Sequence, residues 1–386
     1  MVGRKDTRTK MKKRWSCLAA MGLLFVGCGD DEAGAGSGSS GLESSGSAET
    51  TGQTVTSGDV EHTGSTGGSV GRSAVAVDAD VLFWQLVHGE TEDFAGTIAA
   101  LEGAVEHDSG DVYARAHLGW AHFLAFQQGV PSGLIEPAEL VPHLSAAEEH
   151  FALAAEMAPE EPRIRGFLGY TRRALPTFAE MFDAELFGQG MADVVASNMM
   201  WPEWGLFGSV YTPDSLFAYD TPEFANVLET YWAWLDTCAG ETVDRSNPDW
   251  TPYLGGETQT GRRRACWNGW VTPYNVEGAF LVIGDALVKA GDTQTAAVLY
   301  NNATLLDSYD SWPYADLLED RIANIDVNVE RFRAAVEPGT PLDPTETTVS
   351  NTSSVCLVCH GGPGYQAYAM PPWVGASADQ HVVPEF

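Results

Sequence analysis

Between Val276 and Ser308 the chain alternates small and large side chains in a pattern suited to two antiparallel helices in close contact. Small residues at Gly284, Ala296 and Ala303 remove the bulk that would hold two such helices apart, while Phe280, Ile283, Leu287 and Tyr300 fill the gaps between them. Gly291-Asp292 supplies the turn. One hairpin cannot bury its apolar face alone, so copies of it must stack.

The same positions, with Val276 to Ser308 as one unit, resemble a tetratricopeptide repeat. An earlier copy is interrupted. Leu118-Gly119-Trp120 with His122 fits a first helix, and Ala147, Phe151, Ala154 and Pro159 fit a second, so Gln127 to about Pro142 reads as an insertion between them. Leu168-Gly169 then opens another first helix, Leu101 and Ala104 suit a preceding second helix after Val81 to His88, and Trp312 to Val336 reads as a capping pair or one long helix. The resemblance implies an all-α solenoid of tetratricopeptide-like helical hairpins over residues 75–340. By itself it implies no enzymatic activity.

Within that span, residues 176–273 lose the repeat signal and concentrate aromatics, among them Trp201, Trp204, Tyr231, Trp232, Trp234, Trp267 and Trp270. Such density builds either a binding face or a core. The helical period of Glu223 to Leu235 favours the core. Cys238 and Cys266 flank a polar loop and are expected to close it as a disulfide if the chain is exported.

Export is what the N-terminus suggests. Seven bases between Arg4 and Arg14 precede the apolar run Trp15 to Val26, which reads as a signal peptide over residues 1–27. The run is shorter than the roughly 20 residues a membrane span needs. Leu24-Phe25-Val26-Gly27-Cys28 resembles a bacterial lipobox, with Phe25 where that motif carries Leu, and the resemblance implies diacylglycerol on Cys28. Residues 28–74 are rich in Gly, Ser and Thr, cannot offset their ordering entropy by burial, and read as a disordered tether. These features place the protein at the bacterial envelope, membrane-anchored and facing the periplasm or the cell surface. The formal net charge is −32, and because the signal contributes +6 the chain beyond it carries −38. Nucleic acid and anionic headgroups would be repelled, leaving cations and basic proteins as partners, or simply a solvated acidic surface.

Near the C-terminus, Cys356-Leu357-Val358-Cys359-His360 has the spacing at which a c-type haem is attached. Two thiols three apart can form thioethers to the vinyl groups, and the adjacent imidazole can serve as proximal iron ligand. The same spacing also suits a small disulfide, a free dithiol or half of a metal site. Cys359-His360-Gly361-Gly362-Pro363-Gly364 followed by Met370-Pro371-Pro372-Trp373 resembles the opening of a class I cytochrome c domain, in which Met370 would pack beside the haem. Met-Pro-Pro also resembles that family's distal-methionine segment, in which Met370 would be the axial ligand. Residues 341–386, an irregular tail, are too few for a whole cytochrome domain, so one haem c would lean on the helical body, stay five-coordinate, or recruit Met370, His381 or a partner.

No catalytic constellation is present: no His-Glu-x-x-His, no nucleophile elbow in the folded part, no nucleotide loop and no complete calcium loop. Asp307, Asp310, Asp316, Glu319 and Asp320 cluster as a solvated helix end or a cation site. His143 and His150 share a helix face, and His117 and His122 fall inside a repeat, where polarity and packing compete with ligation as explanations. The expectation is an electron carrier or binding protein rather than an enzyme. Its leading form carries a haem and meets a redox partner through the helical surface. The alternative is a non-catalytic adaptor in which Cys356 and Cys359 form a disulfide.

Overall fold

The computed structural model describes residues 72–129, 132–179, 181–209, 217–254, 262–269, 271–334 and 342–361. The described residues are all-α: they form thirteen α-helices and no strand. Helices α1 (Ala74–Val87), α2 (Phe94–His107), α3 (Val112–Leu124), α4 (Leu140–Met157), α5 (Pro162–Phe178) and α6 (Ala184–Met200) each pack on the next. Such nearest-neighbour packing is compatible with a stack of helical hairpins. None of the described helices is long and apolar enough to cross a membrane.

Short acidic caps explain why the helices start where they do. Asp93 accepts from Gly96 N, Asp111 from Tyr113 N and Ala114 N, and Asp183 from Glu185 N and Leu186 N. Each satisfies amide groups that the first turn leaves without a helical partner. The interruption expected between α3 and α4 is present. The last turn of α3 widens into a π-turn, Ala125–Gly129, and a 3₁₀ turn, Pro137–Glu139, precedes α4. Ile135 closes on Gly129 so tightly that a Cβ there would lie 2.7 Å from it.

Helices α7 (Pro202–Ser209) and α8 (Pro222–Ala239) carry much of the aromatic-rich segment. Trp201, Tyr231, Trp232, Trp234 and Trp267 are buried, so these rings build core. Trp270 lies outside the described residues. A disulfide joins Cys238, at the end of α8, to Cys266.

Helices α9 (Asn275–Ala290) and α10 (Thr293–Ala303) form the hairpin whose spacing was clearest. Gly291 takes a left-handed φ of 97° to end α9, and Asp292 caps α10 through Thr295 N. Gly284 meets Tyr300 so closely that a Cβ would lie 2.2 Å from its ring. Of the span expected from Trp312 to Val336, the described residues to 334 form a pair, α11 (Ala315–Ala323) and α12 (Ile325–Arg333), which meet at Asn324; Val336 lies outside the described residues.

Asp285 of α9 is the polar centre of this half. It accepts from Tyr300 Oη at 2.7 Å, from Arg321 Nε at 2.9 Å and from Val349 N at 2.8 Å. Arg321 is wholly buried and also donates to the Pro344 and Thr347 carbonyls. Pairing and hydrogen bonds at Nε and Nη2 offset much of the desolvation penalty of a lone buried charge, although Arg321 Nη1 is buried without a partner. The pair clamps the chain after residue 342 onto α9.

Candidate functional site

A single helical turn, α13 (Leu357–His360), carries the Cys-x-x-Cys-His segment, with Cys356 at its N-cap. The turn is a seam between two cores. Cys356 packs in the core of α1 to α3, while Val358 and Cys359 pack in the core of α8 to α12. Three hydrogen bonds fix it: Trp312 Nε1 to Val358 O at 2.8 Å, Tyr274 N to Cys359 O at 3.1 Å, and His360 Nδ1 to Val271 O at 2.8 Å. Gly278 of α9 is what admits the turn so close, since a Cβ there would sit 2.4 Å from Cys359 Sγ and 2.8 Å from Val358 O.

Cys356 and Cys359 are unpaired and buried. Cys356 Sγ donates to Gln127 Oε1 at 3.4 Å, and Cys359 Sγ to Asn275 O at 3.9 Å. Burial pushes the Cys356 thiol up to about 11. Burial also raises Cys359, with further contributions from Cys356 and Glu277. Both are therefore thiols at neutral pH, which is the opposite of the activated thiolate that dithiol redox chemistry requires.

His360 is 5% exposed, and burial lowers its pKa to about 4; the Val271 carbonyl opposes this shift, and the nearby His88 adds to it. The ring is thus neutral. Its Nδ1–H donates to the carbonyl, which leaves the lone pair on Nε2. Orientation of a ligating imidazole by a backbone carbonyl on its other nitrogen is the usual second-shell arrangement. Trp120 meets the ring edge to face at 6.1 Å. On the Leu357 side the packing is nearly closed: a cavity of about 70 Å³ lined by Leu86, Gly89, Phe94 and Gln128 admits no more than a few water molecules.

The other candidates disperse. Met370, His381 and Cys28 lie outside the described residues. His117 is hydrogen-bonded to Asp80 at 2.8 Å and stacks on Phe83, so it serves packing and the Asp80 network. His122, His143 and His150 do converge between α3 and α4. The Nδ1 atoms of His122 and His143 are 2.9 Å apart, and the rings of His122 and His150 lie 6.0 Å apart. Even so, no group of three or more His, Cys, Asp or Glu among the described residues is placed to hold a bare metal ion, the acidic cluster at Asp307 to Asp320 included.

Sequence reasoning missed His88, Gly278, Val271 and Gln127 as neighbours of the motif. All come from segments remote in sequence, and only the spacing of the two cysteines and the histidine was local enough to read. Compared with protein-family models, curated proteins and solved structures, the chain matches none.

Proposed function

We propose that the protein is a bacterial envelope lipoprotein whose tetratricopeptide-like scaffold carries one covalent c-type haem at Cys356, Cys359 and His360 and serves electron transfer. The observation that carries this reading is the donor set on α13. Two unpaired, protonated thiols stand one helical turn apart, beside a neutral imidazole whose Nδ1 is committed to a backbone carbonyl. Thiols in that state are what vinyl addition consumes, and the neutral imidazole is what iron requires.

A haem would enter only if the packing around Leu357, which leaves a cavity of about 70 Å³, opened, and it would then supply one-electron chemistry at its iron. The polypeptide supplies the rest. Cys356 and Cys359 hold the group, His360 presents Nε2, and the aromatic pair Trp84 and Trp120 shields that side from water. Exclusion of water and a low dielectric are the levers by which a protein tunes such a centre.

The test is expression of the full chain in a host that matures c-type cytochromes. We expect a mass increased by one haem and a Soret band that survives acid–acetone extraction, both lost in the Cys356→Ala/Cys359→Ala variant. A colourless chain with a Cys356–Cys359 disulfide by mass would instead support the adaptor reading. For the lipid anchor, Cys28→Ala is expected to shift the protein from the detergent phase to the aqueous phase or to block processing. Identical partitioning of the two forms would refute anchoring.

A further inference from the structure

We propose that two copies of the chain pair through the outer face of α6, antiparallel, about a two-fold axis that passes between residues 192 and 195.

A helix at the surface ordinarily turns a charged or polar face to water. Helix α6 does not. Its only charged residues are Glu185, in the first turn, and Asp193, which Arg172 binds at 2.9 Å. Its inner side packs on α5: a Cβ on Gly190 would sit 2.7 Å from the Gly169 carbonyl oxygen, and Val194 and Ser197 are buried. The opposite side carries Gly188, Ala192, Val195 and Met199, spaced by four, three and four residues and therefore aligned on one stripe of the helix. All four are exposed, Val195 by 52% and Met199 by 79%. Met181 and Phe182, just ahead of the helix, are exposed as well.

The order of side chains along the stripe says what covers it. Toward the N-terminus they are small, Gly188 and Ala192, and toward the C-terminus large, Val195 and Met199. A Cβ on Gly188 would meet nothing within 4 Å, so the hollow there is open. One antiparallel register sets Met199 of each copy over Gly188 of the other and Val195 over Ala192, because both pairs are centred midway between residues 193 and 194. Large side chains then fill hollows throughout, and the contact closes on two copies. A parallel pairing would set large against large and small against small. Charge points the same way. The chain beyond the signal carries −38, so two copies repel over most of their surfaces and meet most easily on a stripe that bears no charge. A basic partner would be drawn to the acidic surface elsewhere and would gain nothing electrostatic from this face.

The experiment uses the full chain in sedimentation equilibrium, in density-matched detergent so that a lipid anchor does not alter the apparent mass. We expect twice the mass of one chain. Val195→Glu sets two carboxylates beside the axis and should weaken the pairing by roughly a hundredfold or more, with the helical circular dichroism unchanged because this side chain faces solvent. Gly188→Cys/Met199→Cys should cross-link two chains on oxidation, whereas either cysteine alone should not. Within one helix these positions lie roughly 16 Å apart and cannot bridge. A wild-type chain that stays monomeric at roughly 50 μM, which would leave the stripe to a different protein, overturns the proposal. So does a dimer that Val195→Glu leaves intact, or cross-linking by a single cysteine as readily as by the pair. None of these readouts involves haem, so the outcome is independent of the haem reading.

Discussion

His122 shows what burial does to one titratable side chain. It is 8% exposed, and its pKa falls to about 4, first through desolvation and then through the charges of His143 and His150. Burial lowers His143 and His150 as well, although Glu139 and Glu149 oppose the shift at each and Arg115 adds to it at His150. The unfolded chain takes up a proton at His122 as the pH drops through about 6.5, whereas the folded chain resists until about 4. Its contribution to stability is therefore complete above pH 6.5, declines as the pH falls toward 4, and changes no further below that. A shift of that size corresponds to roughly 3 kcal/mol at about 1.4 kcal/mol per unit. We expect the melting temperature to fall between pH 6.5 and 4, and the slope to flatten in His122→Gln. An unchanged slope in the variant would show that the site is not the acid-sensitive point. Neither this cluster nor His88 was legible beforehand. His143 and His150 could be placed on one helix face from their spacing, but the approach of His122 depends on how α3 meets α4. The spacing of Cys356, Cys359 and His360 could be read as a motif because three positions along a single turn need no tertiary knowledge.

At the scale of elements, α9 and α10 were readable residue by residue. Gly284 admits the ring of Tyr300, Gly291 adopts the left-handed cap, and Asp292 starts the next helix, each a local requirement with a local solution. The interruption after α3 was readable for the opposite reason, as repeat-type residues that stop and resume. What stayed hidden is the pairing of polar groups far apart in sequence, above all Asp285 with Arg321 and the backbone of Val349. The Cys238–Cys266 bridge lies between these cases. Its 28-residue separation encloses the polar loop after α8, and both sulfurs are buried. A loop of this length restricts the unfolded chain enough to be worth about 2–4 kcal/mol. Replacing both cysteines by serine should lower the melting temperature by several degrees, and peptide mapping of the native protein should recover the two joined. Recovery of both as alkylatable thiols, or an unshifted melting temperature, would refute the role.

For the whole molecule, the segment 342–361 is the piece on which the two cores depend. From the α9 side it receives Arg321, whose guanidinium binds the Pro344 and Thr347 carbonyls, and it returns Val349 N to Asp285. It then accepts Trp312 at Val358, delivers Cys359 into the core of α8 to α12 and Cys356 into that of α1 to α3, and ties His360 to Val271. Ending the chain after Arg333 would strip these partners at once. Asp285 and Arg321 would keep each other, but the Val349 amide and two carbonyls would be lost from a wholly buried pair, a class of change that costs several kcal/mol. The apolar walls around Cys356 and Val358 would also be opened to water. We therefore expect the truncated chain, compared without haem against the full chain also without haem, to melt at a markedly lower temperature and in two separable transitions, one for each core. A single transition at the wild-type temperature would show that the two cores hold together through α1 to α12 alone. The Cys-x-x-Cys-His turn would then be a passenger on the scaffold, with no part in joining its halves.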